Sequence, residues 1–80
     1  MKNTNKIPGF ILIEDLRGDD ILISVKSIAA INEGTIIYDG DRKATTEIYM
    51  ACPVTFAGNN RTCTFERMED IIKKIAEAQQ

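Results

Sequence analysis

Cys52 and Cys63 are the strongest nucleophiles in a chain of 80 residues that contains no histidine. A catalytic thiol needs a base to make the thiolate. Only carboxylates and lysines could serve here, and their spacing around the two cysteines suggests no such pair. Two thiols also fall short of a structural zinc site, which takes four ligands. The residue types therefore point to small, partly buried strand cysteines, held as reduced thiols.

Glu14, Asp15, Asp19, Asp20, Asp39 and Asp41 could in principle supply acid–base pairs or cation ligands. A glycosidase pair needs a cleft between two carboxylates, which a short β-meander rarely forms. Asp39-Gly40-Asp41 starts like a calcium loop, but Arg42 and Lys43 stand where further ligands belong. Arg17-Gly18-Asp19 spells an adhesion tripeptide, yet glycine is required there for a hairpin turn. No glycine-rich phosphate cradle occurs. These patterns predict no enzyme, no cofactor and no metal.

Cations and aromatics remain. Arg42, Lys43 and Arg61 would form a small basic spot for an acidic partner if their loops share one end of a sheet. Tyr38, Tyr49 and Phe56 could add an exposed aromatic patch of the kind found at protein interfaces. The tentative partner contacts are thus Arg42, Lys43, Arg61 and Phe56.

Charged residues make up 28% and hydrophobic residues 44%, the balance of a globular chain, and the net charge is -2. That charge argues against coating nucleic acid. The longest apolar runs, such as Phe10-Ile11-Leu12-Ile13, are far short of the roughly 20 residues of a membrane span. The polar opening Met1-Lys2-Asn3-Thr4-Asn5-Lys6 leads into no apolar secretion core, so a cytoplasmic location is expected. A domain of this size buries only about 60–65% of its unfolded surface. Without staples, such domains often gain stability by association, so a homo-oligomer is expected.

The elements that must position these groups are legible in outline. Residues 1–9 read as a flexible leader ending in the breaker Ile7-Pro8-Gly9, and residues 10–80 as a single domain. Phe10 to Glu14 and Ile21-Leu22-Ile23-Ser24-Val25 are β-rich segments around a Gly18 turn, which predicts a hairpin. Ile28 to Ile31 and Thr35 to Tyr38 follow, separated by the weak punctuation Glu33-Gly34. Asp39-Gly40 is the strongest turn signal, because both positions accept positive φ, so residues 45–51 should return as a second hairpin. Pro53 ends that strand, Gly58-Asn59-Asn60 turns the chain, and Arg61 to Phe65 forms the last strand.

The period then changes. Met68, Ile71, Ile72 and Ile75 recur at helical spacing, predicting an amphipathic helix over about residues 67–78. Glu69–Lys73 and Asp70–Lys74 are i, i+4 pairs in the favourable acid-first order. The expected architecture is α+β: a curled antiparallel β-meander of five or six strands with one C-terminal amphipathic helix laid on one face. Several strands are apolar on both faces. Either the sheet curls into a small barrel or another chain covers its second face.

The order of blocks has a counterpart. Ile11-Leu12-Ile13-Glu14-Asp15, Gly18, Ile21-Leu22-Ile23 and Ile28-Ala29-Ala30-Ile31 form one block, and Thr46-Glu47-Ile48-Tyr49-Met50 a second. Thr64-Phe65-Glu66-Arg67-Met68-Glu69-Asp70-Ile71-Ile72-Lys73-Lys74-Ile75 closes the chain. Over residues 10–76 this resembles small bacterial proteins of the FlbD/SwrD type, encoded near flagellar genes, and short proteins of gut Bacteroidetes and their mobile elements. Members often cap the helix with Ser or Thr. Arg67 stands in that place here, so the resemblance implies a cap from Thr64 or elsewhere. Segments 39–44 and 52–60 are longer than the group's pattern. The group has no catalytic motif to match, so the resemblance carries over no functional residue and no flagellar role. A more distant similarity is to the β-rich DNA-binding domains of LytTR-type regulators, which are basic where this chain is not.

The sequence therefore predicts a small intracellular protein-interaction or regulatory module that acts by surface complementarity. Its expected partners are itself and another protein, and no membrane. The alternative is a nucleic-acid-binding regulator that uses the loop Arg and Lys residues.

Overall fold

Alternating β-branched residues and two short turns build the first half of the molecule. The computed structural model describes residues 7–52 and 60–79. β1 (Phe10–Glu14) pairs antiparallel with β2 (Asp20–Ser24), with Leu12 opposite Leu22 and Ile11 opposite Ile23. The Gly18 turn is held by Asp15, whose Oδ1 accepts from the N–H groups of Arg17 and Asp19, both at 2.9 Å. Gly18 sits at φ 89°, a conformation that strains other residues. The Arg-Gly-Asp tripeptide is thus accounted for by turn geometry.

A single turn of 3-10 helix, Val25–Ser27, then carries the chain from one sheet to another. Val25 N–H donates to Gly9 O at 2.9 Å, extending the first pair, while Ser27 O accepts from Ala51 N–H at 2.7 Å, opening the next. β3 (Ile28–Tyr38) pairs with β4 (Asp41–Met50), which pairs with β5 (Arg61–Thr64), all antiparallel. The strands therefore form a two-stranded and a three-stranded sheet instead of one continuous meander. The three-residue corner is the cause, because it spends the end of β2 on Gly9 and begins β3 beside β4.

The Asp39-Gly40 turn forms as expected, with φ of 55° and 81°. Glu33-Gly34 does not punctuate. β3 runs straight through it, with Gly34 opposite Thr45. A Cβ on Gly34 would stand 3.3 Å from Glu47 Oε2, so the glycine makes room for that carboxylate. The turn expected at Gly58-Asn59 and the break at Pro53 lie outside the described residues. Ile7, Pro8 and Gly9, read as the end of a leader, form a turn. Phe10 N–H donates to Ile7 O, and Gly9 N–H donates to Ala78 O at the helix end, both at 3.0 Å.

α1 (Met68–Ala78) closes the described chain. Its Ile71 is fully buried with Ile11, Ile13, Ile23, Ile48 and Met50, while Ile75 and Ala78 pack at the margin. Ile72, expected on the buried stripe, is 51% exposed, because the small sheets offer α1 a seam narrower than that stripe. The expected Thr64 cap is also replaced. Thr64 Oγ1 accepts from Glu66 N–H at 3.1 Å, ahead of the helix, and Arg67 stands at the N-cap position with no side-chain cap bond. Glu69 and Asp70 in the first turn complement the helix dipole instead. Lys74 does not pair with Asp70. Its ammonium reaches Glu66 Oε1 and the Leu12 carbonyl, each at 2.6 Å. No helix among the described residues is long and apolar enough to cross a membrane.

Candidate functional site

Strand alternation sorts the side chains into faces. On the two-stranded sheet, Ile11, Ile13 and Ile23 turn inward and are buried. Phe10, Leu12 and Leu22 turn outward and are 40%, 44% and 46% exposed. Leu12 and Leu22 stand directly opposite each other, so the three side chains make one apolar strip on the outer face. The two-faced apolar character of these strands is therefore left half uncovered by the chain's own described residues.

The outer face of the three-stranded sheet is different. Glu47, in the part of β4 that is paired on both sides, is half-buried and surrounded by polar groups. Its Oε1 accepts from Asn32 Nδ2 at 3.2 Å and from the Tyr49 hydroxyl at 3.0 Å, and its Oε2 lies 3.8 Å from an Arg61 guanidinium nitrogen. Cys63 lies opposite Glu47 on β5. Burial pushes the Cys63 thiol up, Arg61 counteracts this in part, and Glu47 adds to it. A thiol held up in this way is a poor nucleophile. The Arg61 guanidinium is held more firmly protonated, first by the Tyr49 side chain and then by Cys63 and Glu47. With both carboxylate oxygens engaged, Glu47 acts as a brace across three strands. Thr45, Glu47 and Tyr49 share a face by simple alternation, a signal present in the sequence. Asn32 and Arg61 join them only through strand register.

The predicted contact residues are not brought together. Arg42 stands opposite Ile37 and Lys43 opposite Ile36, next to the Asp39-Gly40 turn. Arg61 stands opposite Tyr49, near the other end of β4. Six or seven residues of strand separate them, about 20 Å. The loops that carry them do not share a sheet end, so they form no single basic spot. Phe56 lies outside the described residues. Of the two other aromatics, Tyr49 is absorbed in the Glu47 brace, and Tyr38 meets Phe65 edge-to-face with ring centroids 5.2 Å apart.

A groove of about 360 Å³ opens where β5 ends and the chain turns toward α1. It lies over the β3–β4 pair, with Gly34 and Thr35 on β3 and Ala44 and Thr45 on β4, and is closed by Phe65 and Arg67. Thr45 is buried, and its hydroxyl finds no hydrogen-bond partner among the described residues. Neighbouring Thr46 donates its hydroxyl to Glu66 O at 2.7 Å. No group of three or more Cys, Asp or Glu side chains among the described residues is placed to hold a metal ion.

The described residues thus present an apolar strip, a braced polar face, and a groove over the β3–β4 pair. Comparison with protein-family models, with curated proteins and with solved structures finds no match for this chain.

Proposed function

We infer that this protein is a small protein-interaction module that works by surface complementarity and associates with a second copy of itself through the outer face of the β1–β2 sheet. The observation that carries this reading is the exposure of Phe10, Leu12 and Leu22 on a sheet whose opposite face is core. Two strands cannot bury both of their own faces. A symmetric pairing of this strip sets the same apolar side chains against one another, as a two-fold interface requires. It also adds buried apolar area to a domain whose own core is small.

Sedimentation equilibrium across a concentration series tests the reading. The wild-type mass should rise from 8.9 kDa toward twice that value. Leu22→Glu, at an outward position, should stay monomeric with an unchanged circular dichroism spectrum. A wild-type chain that stays monomeric at high micromolar concentration would sink self-association through this face.

A further inference from the structure

β4 is paired on both sides only over part of its length. β5 covers residues 46–49, and no other described strand lies beside residues 41–45. The backbone groups turned to the side without a paired strand follow from the turn. A two-residue hairpin turn makes Tyr38 and Asp41 a hydrogen-bonded pair, so the odd residues of β4 bond to β3 and the even ones point away. Two bonds at the strand's end keep this alternation: Met50 N–H donates to Asn60 O on the β5 side, and Ala51 N–H to Ser27 O on the β3 side. Arg42 and Ala44 therefore offer their N–H and C=O groups outward, and Ala44 also borders the groove that Phe65 and Arg67 help to line.

We propose that this edge of β4 accepts an extended, acidic peptide segment as an added strand, seated beside Arg42 and Ala44. The proposal rests on the reading of the chain as a protein-interaction module, but not on self-association. Backbone pairing supplies the docking, and side chains supply the selection. Arg42 and Lys43 are consecutive and so project from opposite faces of the strand, which gives an incoming segment a cation on each side. Both are exposed, and among the described residues neither forms an ion pair. Acidic residues at neighbouring positions of the added strand would lie within cross-strand reach of them. A second copy of the chain fits this edge poorly. The antiparallel register that uses both open rungs sets Lys43 against Lys43, and like charges directly opposite are destabilising. The partner is therefore a segment of opposite charge.

The test uses the whole chain and a fluorescein-labelled, end-blocked peptide of sequence Val-Glu-Glu-Val-Thr, whose adjacent acids project from both faces of an added strand, read by anisotropy. A Val-Lys-Lys-Val-Thr peptide and a single-stranded oligonucleotide serve as comparison probes. The acidic peptide should bind at least about tenfold more tightly than the basic one. Ala44→Pro removes one outward N–H without touching the β3 ladder, and should weaken binding about tenfold. Lys43→Glu should weaken the acidic peptide by a similar factor and improve the basic one, which keeps the test valid if the proline variant does not fold. In amide spectra, the peptide should shift Arg42 and Ala44. Equal affinity for both peptides, shifts centred on Leu12 and Leu22, or tighter binding of the oligonucleotide would each overturn the proposal. A monomeric Leu22→Glu chain that still binds the acidic peptide would uphold it while separating it from self-association.

Discussion

Lys74 Nζ lies 2.6 Å from Glu66 Oε1, and this pair joins three parts of the molecule. The same ammonium donates to the Leu12 carbonyl in β1, and Glu66 Oε2 accepts from Glu14 N–H at 3.1 Å. Helix, first sheet and the corner after β5 are thus held at one seam. A surface ion pair alone contributes little, but here each charge also binds backbone. Lys74→Met should therefore destabilise the fold by about 1–2 kcal/mol. In urea unfolding, a double-mutant cycle with Glu66→Gln should show coupling between the two sites. Additive effects would mean that the pair is incidental.

Thr45 and Thr46 are adjacent and both buried, yet the same substitution should act differently on them. Thr46→Val breaks the 2.7 Å bond to Glu66 O and should cost about 1 kcal/mol. Thr45→Val removes a hydroxyl that has no partner among the described residues, and should be neutral or stabilising within about 1 kcal/mol. Thermal unfolding of the two variants compares them directly. Equal losses would show that the Thr45 hydroxyl is satisfied after all.

Asp15 links stability to pH. The Asp19 N–H chiefly holds its carboxyl below the ordinary value of 3.8, with the Arg17 N–H and guanidinium assisting against an opposing effect of burial. The folded pKa lies below the unfolded one, so the ionised carboxylate stabilises the fold above 3.8. That stabilisation is lost as pH falls through the folded value. Asp15→Asn should lower the melting temperature at neutral pH. The gap from wild type should narrow as pH drops through the acid range, and a constant gap would refute the linkage.

Cys63 should be slow to alkylate. With its thiol held up by burial, it should react about tenfold more slowly at neutral pH than exposed Cys52. Its rate should keep rising at pH values where an ordinary thiol has levelled off. A Cys52→Ser chain isolates the Cys63 signal. Rapid modification of that chain would show an activated thiolate instead.

Local features were legible because their causes are local. Alternation marked Phe10 to Glu14 as a strand, and Asp39-Gly40 marked a two-residue turn through positive φ. The spacing of Ile71 and Ile75 marked the helix. Each signal is carried by residues within a few positions of one another.

What the sequence by itself determined is the α+β class, the antiparallel pairing and the C-terminal helix. Tertiary structure decided how the strands divide, through the Val25–Ser27 corner that hands the chain from Gly9 to Ala51. It decided that Lys74 meets Glu66 and Leu12 and not Asp70, and that Glu47 gathers Asn32, Tyr49 and Arg61. It also set Arg61 a strand's length from Arg42. Each of these depends on register and on contacts between segments distant in the chain. Such contacts are chosen by the packing of the whole core, and no short stretch of residues encodes them.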